Sequence, residues 1–261
     1  MHAIADRLGE LLDENDLLYG VICRDVTLTD IELMAQEGYH IVWIDLEHSP
    51  QSSEEAIQLS RTITHLGMVP LVRIRELLRT NVQPLLDGGV QVIVLPDVRS
   101  AKQAAELVQL GKYPPTGQRG FSSTNAGMGF QLVGDQEEVL RQVDGTTHLM
   151  ILFESDEGFE DLDNILEVEG IDMVGVGPND WSIGLGIFGD DAKLNLTPKI
   201  ERVLTRAAGA GKIVVMGAGS PQQAKYYRQL GVRVFFVGVD VAMRRGILAQ
   251  SLLSFKDALR N

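Results

Sequence analysis

Short apolar runs of four to six residues recur along the chain, and segments with the apolar spacing of helices separate them. Runs of this length are typical of buried strands. Two neighbouring parallel strands need a crossover between them, which a helix supplies. The eight predicted strands are Leu18–Cys23, Ile41–Ile44, Val69–Ile74, Val92–Leu95, Leu149–Phe153, Met173–Val176, Ile213–Met216 and Val234–Val237.

Helical segments follow these strands, and a polar amphipathic helix is predicted in the first sixteen residues. The other predicted helices are Leu28–Glu37, Ser53–Leu66, Asn81–Leu86, Ala101–Leu110, Glu137–Val143, Phe159–Val168, Thr197–Ala210, Pro221–Leu230 and Ala242–Leu259. This alternation predicts an α/β protein with one (β/α)8 TIM barrel over residues 1–261. The competing fold is an open doubly wound sheet. It expects a glycine-rich turn after the first strand, where this chain has Cys23-Arg24-Asp25-Val26.

Composition narrows the class of protein. A formal net charge of −13 argues against nucleic acid or an anionic membrane as the main partner. A single cysteine, Cys23, excludes an internal disulfide and favours a reducing compartment. With no signal peptide and no long apolar span in the sequence, we expect a soluble cytoplasmic protein.

Two carboxylates follow neighbouring predicted strands. Glu154 ends the fifth strand, and Asp180 follows the sixth in Gly177-Pro178-Asn179-Asp180. Parallel neighbours place both at the same rim, where they repel unless a cation or a shared proton intervenes. Oxygen donors suit a hard divalent ion, so the pair predicts a Mg²⁺ or Mn²⁺ site. The alternative is that both are ordinary acids that cap the following helices.

Further candidate catalytic residues lie at the exits of the second and third strands. Asp45, Glu47 and His48 follow the second strand, and His48 is the only histidine at such an exit. It is a candidate general base, with Asp45 or Glu47 as its supporting acid. The alternative is a structural histidine. Arg73 lies inside the third apolar run, so it pairs with a barrel carboxylate or faces a substrate anion.

Three other segments are candidates for substrate contacts. Asp87 is either a helix-end residue or a partner of His48. The irregular segment 111–124 contains Pro114, Pro115 and Arg119, and we expect it to cover the site. A helix that starts near Asn179 would offer free N–H groups to a substrate carboxylate.

The ordered set of motifs resembles the HpcH/HpaI aldolase family, the metal-dependent class II pyruvate aldolases, over almost the full chain. The residues that carry the resemblance are Asp45-Leu46-Glu47-His48, Val72-Arg73, Leu86-Asp87-Gly88-Gly89, Tyr113-Pro114-Pro115 with Gly117 and Arg119-Gly120, Glu154, and Gly177-Pro178-Asn179-Asp180 with Ser182 and Gly186.

The resemblance implies a divalent metal (Mg²⁺ or Mn²⁺, with Co²⁺ as an option) held by Glu154 and Asp180. It implies cleavage of a 4-hydroxy-2-oxo acid to pyruvate and an aldehyde. His48 is then the base, Asp45 and Asp87 support it, and Arg73 lies against the keto oxygen. Substrate binding falls to four further residues, namely Gly177, Pro178, Asn179 and Arg119. The family also implies a homo-oligomer, a hexamer or trimer of dimers, in which the last helix packs on a neighbouring subunit.

Two positions depart from the family pattern. Leu152 stands where the family often has glutamine, and Trp181 stands where it usually has leucine. Leu152 keeps open a non-catalytic barrel that binds 2-oxo acids, whereas Trp181 is compatible with simple packing. A citramalyl- or malyl-CoA-type lyase is the other alternative, although no lysine–arginine cluster offers a site for its phosphates. No lysine lies at a strand exit, which argues against a Schiff-base aldolase.

Overall fold

A computed structural model describes residues 5–130 and 135–260 of the chain. Eight parallel strands form a closed barrel, in which each strand pairs with the next in sequence and β8 pairs with β1. The predicted (β/α)8 barrel is therefore confirmed. The strands are β1 Leu18–Cys23, β2 Ile41–Asp45, β3 Val69–Arg73, β4 Val92–Leu95, β5 His148–Phe153, β6 Met173–Val176, β7 Ile213–Gly217 and β8 Val232–Val239.

Twelve α-helices in the described residues surround or close the barrel. They are α1 Arg7–Glu14, α2 Leu28–Gln36, α3 Ser53–His65, α4 Arg79–Asp87, α5 Ala101–Gly111, α6 Gln136–Thr146, α7 Asp156–Glu160, α8 Leu162–Leu166, α9 Pro178–Gly184, α10 Gly189–Gly209, α11 Pro221–Gln229 and α12 Asp240–Ala258. A short 3-10 helix spans Ala126–Met128. Local sequence explains several starts; for example, Ser52 and Glu55 form a reciprocal capping box at α3.

Strand register brings the exits of neighbouring strands level with one another. Asp45 on β2 lies beside Arg73 on β3, and Leu152 and Phe153 on β5 lie beside Gly175 and Val176 on β6. Chain segments that follow β5 and β6 therefore leave the barrel side by side. This places the residues after both strands at one mouth of the barrel.

Apolar side chains fill the barrel interior, and a second layer lies between the strands and the helices. Leu8 and Leu11 of α1 join the interior cluster together with Leu18, the first residue of β1. Helix α1 thus closes the end where the strands begin. The opposite end, where the strands finish, is left for the functional site.

Helix α12 is unusual because large apolar side chains around it are exposed. Ile247, Leu248, Leu252, Leu253 and Phe255 are each more than half exposed. Within residues 5–130 and 135–260, no helix combines the length and apolar character needed to cross a membrane.

Helix boundaries differ most from prediction in the second half of the chain. Helix α10 begins at Gly189 instead of Thr197 and continues through Pro198. Proline lacks the N–H that an inner helical position uses, but neighbouring bonds carry the helix through it. The single helix predicted at Phe159–Val168 is two short helices. The predicted N-terminal helix is described only from residue 5 onward.

Candidate active site

Arg73 and Asp45 form a buried ion pair at the open end of the barrel. The guanidinium donates from Nε to Asp45 Oδ1 (3.0 Å) and from NH2 to Oδ2 (2.6 Å). The Arg73 side chain is 7% exposed and Asp45 is fully buried. The geometry thus favours the first option for Arg73, a pair with a barrel carboxylate, although Arg73 also lines a cavity.

Asp45 also shapes the loop that carries His48. Its Oδ1 accepts hydrogen bonds from the backbone N–H groups of Glu47 (3.1 Å) and His48 (3.2 Å). Burial acts to raise the pKa of Asp45, but the bonds and charge of Arg73 outweigh it and hold that pKa below its ordinary value. Asp45 therefore supports the backbone of His48.

Glu47 is the carboxylate nearest to the imidazole. Its Oε2 lies 3.6 Å from His48 Nε2 and 3.0 Å from Arg73 NH1. Burial raises the pKa of Glu47, although Arg73 and His48 oppose the shift. Of the two acids proposed to support His48, Glu47 is thus the one that approaches the ring.

Glu154 is held at the mouth by two neighbours. Its Oε2 accepts the backbone N–H of Asp97 at 3.1 Å. Asp97 adopts φ +43°, a left-handed conformation that is uncommon for a residue other than glycine. On the other side, a Cβ at Gly177 would lie 2.2 Å from Glu154 Oε1, so only glycine leaves space for this carboxylate.

The buried position of Glu154 changes its acidity. Burial raises the pKa of Glu154 to about 7, and Asp180 and Glu47 add to the rise while Arg73 opposes it. A carboxyl group in this state is suited to binding a cation, which would replace the proton. Asp180, at the start of α9, is exposed and close enough to affect that pKa.

Glu154 and Asp180 stand between two cavities. The inner cavity, of about 520 Å³, lies over the barrel axis and includes Arg73. The outer cavity, of about 610 Å³, includes Glu47 and His48. Both carboxylates line both cavities. His48 therefore faces the same outer cavity as the two proposed metal ligands.

The donor set fits a divalent cation that keeps open positions. Two carboxylates at one rim supply hard oxygen ligands, and the adjoining cavities leave space for water or substrate oxygens. The described part of the chain contains no group of three or more His, Cys, Asp or Glu residues arranged to hold a metal. The protein would thus provide only a partial ligand set.

Three of the predicted substrate-binding residues line the inner cavity. These are Gly177, Pro178 and Asn179. Helix α9 begins at Pro178, as the predicted helix start near Asn179 requires. The role of its N–H groups in binding a carboxylate stays a prediction.

Within one chain, Asp87 and Arg119 lie away from the mouth of the barrel. Asp87 ends α4, which runs from the exit of β3 back to the entry of β4, so it lies at the closed end. Arg119 donates from NH2 to Asp87 Oδ1 at 2.8 Å, and its guanidinium carbon lies 4.8 Å from the centre of the Tyr113 ring. The two predicted site residues therefore pair with each other, and within one chain they do not reach His48 or the mouth.

The structure of one chain also differs from the prediction that segment 111–124 covers the site. Segment 111–124 follows α5, which returns to the closed end of the barrel. Gly117 packs on the carbonyl oxygens of Val108 and Lys112, and Gly120 packs on side chains of Arg79 and Gln83. None of the residues of this segment lines either cavity at the mouth. The segment begins at the closed end, where α5 ends, and then packs along the outside of α4, so within one chain it does not cover the mouth.

The departures from the family pattern occupy different places. Leu152 is buried and lines the inner cavity, so an apolar group replaces the amide there. Trp181 is fully buried, and its Nε1 donates to Asp156 Oδ1 at 2.7 Å. The packing role proposed for Trp181 is consistent with this position.

Three residues of the mouth were not singled out from the sequence. Arg24 and Trp43 line the inner cavity, and the backbone of Asp97 holds Glu154. Arg24 gives a usable signal because it follows the first predicted strand directly. Trp43 resembles any core aromatic residue, and the backbone bond of Asp97 leaves no mark in the sequence.

Comparison with known proteins assigns the family. The model of the HpcH/HpaI aldolase/citrate lyase family matches residues 27–245. The chain belongs to this family. Among its relatives, a 2-keto-3-deoxy-L-rhamnonate aldolase of Escherichia coli (strain K12) is 30% identical over 97% of this chain and 94% of the relative. That of Salmonella gallinarum is 32% identical over the same shares of the two chains. Membership of an aldolase and lyase family, with relatives that are named aldolases, supports an enzyme.

Solved structures agree on the architecture. An HpcH/HpaI aldolase from Desulfitobacterium hafniense DCB-2 has a TM-score of 0.87 at 28% identity, covering 95% of this chain and 96% of the other. The citrate synthase SbnG has a TM-score of 0.88 at 24% identity, covering 98% of this chain and 100% of the other. At that identity the likeness to SbnG shows the fold alone.

Proposed function

We propose that this protein is a divalent-metal-dependent aldolase that cleaves a 4-hydroxy-2-oxo acid to pyruvate and an aldehyde. The observation that carries the proposal is the position of Glu154 and Asp180 between two cavities, with Arg73 lining one and His48 lining the other. Relatives named as aldolases support the same class of reaction.

Glu154 and Asp180 would hold Mg²⁺, Mn²⁺ or Co²⁺. When bound, such an ion supplies Lewis-acid stabilisation of negative charge on the 2-oxo acid. Arg73 adds a fixed positive charge at the wall of the inner cavity, where Asp45 and Glu47 hold its guanidinium in one orientation. A positive group held in place before the reaction stabilises developing enolate charge without reorganising.

His48 would remove the proton from the 4-hydroxyl group. As the C3–C4 bond breaks, its electron pair passes to the C2–C3 unit as the enolate, and the oxygen that lost its proton becomes the aldehyde carbonyl. Protonation at C3 then gives pyruvate. Glu47, at 3.6 Å from the His48 ring, stabilises the imidazolium that forms.

Exchange of the pyruvate C3 protons with deuterated solvent tests the proposal without the true aldehyde. The wild-type protein with Mn²⁺ should exchange these protons, and a chelator should abolish the exchange. Glu154→Ala and Asp180→Ala should each remove it, and Arg73→Lys should reduce it strongly, because an ammonium does not reproduce the guanidinium fork. Glu138→Gln, on the surface of α6, is the control.

Two outcomes would overturn the aldolase proposal. Exchange that persists in the presence of chelator would contradict the metal-dependent route. Binding of one metal ion without any exchange would instead support the non-catalytic barrel that Leu152 keeps open. A CoA-type lyase gains no support, because the charged residues lining the inner cavity are Arg24, Arg73, Glu154 and Asp180, with no lysine among the described residues there.

We also propose a homo-oligomer in the cytoplasm. The exposed apolar side chains of α12, such as Ile247, Leu248 and Phe255, support association because surfaces of this kind are usually covered by another chain. Light scattering coupled to size-exclusion chromatography measures the state. Substitution of Leu248 and Phe255 by Ser should lower the mass, and an unchanged mass would contradict the role of α12.

A further inference from the structure

The turn between β4 and α5, residues 96–100, meets the proposed metal ligand Glu154. The backbone N–H of Asp97 donates to Glu154 Oε2 at 3.1 Å. The other oxygen, Oε1, faces Gly177, where a Cβ would lie only 2.2 Å away. Among the described residues, this N–H is the hydrogen-bond donor that holds the Glu154 carboxylate. The orientation of Glu154 therefore depends on the direction in which the Asp97 N–H points.

Asp97 gives its N–H this direction in a left-handed backbone conformation, with φ +43°. Such a conformation is uncommon for a residue with a Cβ and persists only where the surroundings hold it. The residue that follows is held by its backbone. Val98 N–H donates to the carbonyl oxygen of Leu152 at 3.0 Å, and Val98 O packs so closely on Gly158 that a Cβ there would lie 2.2 Å from it. The turn is thus tied to β5 and α7 directly after Asp97.

Arg99 holds the side chain of Asp97. Its Nε and NH2 both donate to Asp97 Oδ2, at 2.8 and 2.6 Å. Asp97 Oδ1 is buried and has no hydrogen-bond partner among the described residues. Arg99 is itself anchored, because its backbone N–H donates to Gln103 Oε1 at 2.8 Å. Both Asp97 and Arg99 line the outer cavity, yet the proposed function leaves this pair without a role.

We propose that Arg99 is a positioning residue for the metal site. Its pair with Asp97 keeps the turn left-handed, and the turn aims the Asp97 N–H at Glu154. The N–H in turn holds the Glu154 carboxylate in the orientation that binds a cation. This inference rests on the proposed metal site at Glu154 and Asp180. Groups that orient a metal ligand from outside commonly change metal affinity by about ten-fold or more when they are removed.

Simple electrostatics predicts the opposite effect of losing Arg99. Its guanidinium is a positive charge on the wall of the outer cavity, which Glu154 and Asp180 also line. That charge repels a cation bound to the two carboxylates. Neutralising Arg99 without changing any orientation should therefore tighten cation binding, whereas loss of positioning should weaken it. The sign of the change separates the two roles.

Calorimetric titration of the full-length protein with Mn²⁺ measures that sign. Arg99→Met removes the guanidinium but keeps a long side chain, and it should weaken Mn²⁺ binding about ten-fold. Arg99→Lys keeps the charge without the fork of N–H groups and should recover part of the loss. Arg141→Met is the matched control. It removes an exposed guanidinium that pairs with Glu138 on α6, so it should bind Mn²⁺ as wild type does.

Loss of the pair should act locally and not through the fold. The Arg99 side chain is 56% exposed and that of Asp97 is 37% exposed, and pairs at the surface add little to global stability. The thermal unfolding midpoint of metal-free Arg99→Met should therefore stay close to that of wild type. A midpoint well below that of wild type would attribute weaker Mn²⁺ binding to a damaged fold and would overturn the positioning role.

A double-mutant cycle tests whether Arg99 acts through Asp97. Glycine adopts the left-handed conformation freely and offers no carboxylate to Arg99, so Asp97→Gly uncouples the turn from Arg99. In the Asp97→Gly background, Arg99→Met should weaken Mn²⁺ binding by less than about two-fold, against about ten-fold in the wild-type background. A ten-fold loss in both backgrounds would show that Arg99 acts without Asp97, and the proposed role would be wrong.

The outcomes also separate this inference from the function on which it rests. If Glu154→Ala removes Mn²⁺ binding but Arg99→Met binds the ion as tightly as wild type or more tightly, the positioning role is overturned and the metal site stands. If the wild type binds no Mn²⁺ through Glu154, both proposals fail. If Mn²⁺ affinity follows Arg99 while pyruvate proton exchange is absent, the positioning role stands and the aldolase proposal fails.

Discussion

Arg73 and Asp45 are joined by two near-parallel hydrogen bonds, and the same Asp45 carboxylate accepts the backbone N–H groups of Glu47 and His48. One buried group thus fixes both the guanidinium in the inner cavity and the loop on which the imidazole sits. The conformation of the loop depends on the same charge balance as the orientation of Arg73.

Asp45→Asn should destabilise the protein strongly. The change leaves the buried Arg73 with a neutral partner, and removing one charge of a buried pair costs about 3 kcal/mol or more. Urea unfolding measures the loss. Glu138→Gln, which breaks the exposed pair with Arg141, should cost less than about 1 kcal/mol. Equal unfolding midpoints for Asp45→Asn and wild type would contradict a structural role for this pair.

Gly177→Ala should weaken metal binding more than it weakens the fold. The new Cβ would lie 2.2 Å from Glu154 Oε1, so the carboxylate must move. Displacement of this proposed metal ligand is expected to lower Mn²⁺ affinity by about ten-fold or more. Calorimetric titration with Mn²⁺ measures the effect. Gly209→Ala, near the end of α10 with open space around it, is the control and should bind Mn²⁺ as wild type does.

Stability of the metal-free protein should fall as pH rises through the titration of Glu154. Its pKa is about 7 in the folded protein, against an ordinary value of 4.5, so the folded state keeps a proton that the unfolded chain has released. The associated stabilisation is full below about pH 4.5 and is lost as pH rises through about 7. It amounts to about 3 kcal/mol, from 1.36 kcal/mol per unit of pKa.

Urea unfolding in the presence of a chelator at pH 5 and pH 8 tests this dependence. Glu154→Gln lacks the titrating group, so it should gain stability relative to wild type as pH rises. A constant difference between the two proteins across this range would show that Glu154 has an ordinary pKa. Added Mn²⁺ should favour the ionised carboxylate and oppose the loss at pH 8.

Trp181→Leu should destabilise α9 and the position of Asp180 beside it. The indole is fully buried and donates to Asp156 Oδ1, which also accepts a bond from Lys199 Nζ at 2.6 Å. Loss of ring volume and of the bond should cost about 2 kcal/mol. Trp181→Phe keeps an aromatic ring and should lose less. Thermal unfolding ranks the two variants, and a Trp181→Leu protein as stable as wild type would exclude an anchoring role.

Most of the barrel follows from apolar runs, because a fully buried parallel strand reads as a continuous hydrophobic segment. The observed β1, β4 and β6 have the predicted bounds, and the remaining strands differ by at most two residues at either end. Helix ends are harder to predict, because tertiary contacts extend helices beyond their local signals. Helix α10 shows this by beginning at Gly189, eight residues before the predicted Thr197.

Prediction of the site depends on which end of the barrel a residue occupies. Glu154, Asp180 and His48 lie in the first few residues after a strand, and strand exits share one face, so the structure brings them to the same cavity. Asp87 ends a helix and Arg119 follows one, and their motif alone does not show that within one chain they lie away from the mouth. The partners of a buried group are also invisible in sequence, as the bond from Asp97 N–H to Glu154 shows.

Glu154 and Asp180 line both cavities at the mouth, the one over the barrel axis and the one that includes His48. A molecule that fills the space over the barrel axis leaves the approach past His48 free, and the reverse also holds. Under the proposed aldolase function, the 2-oxo acid and the aldehyde would therefore reach this pair of carboxylates by separate routes. With such an arrangement, the steady-state kinetics need not show an obligatory order in which the two reactants bind.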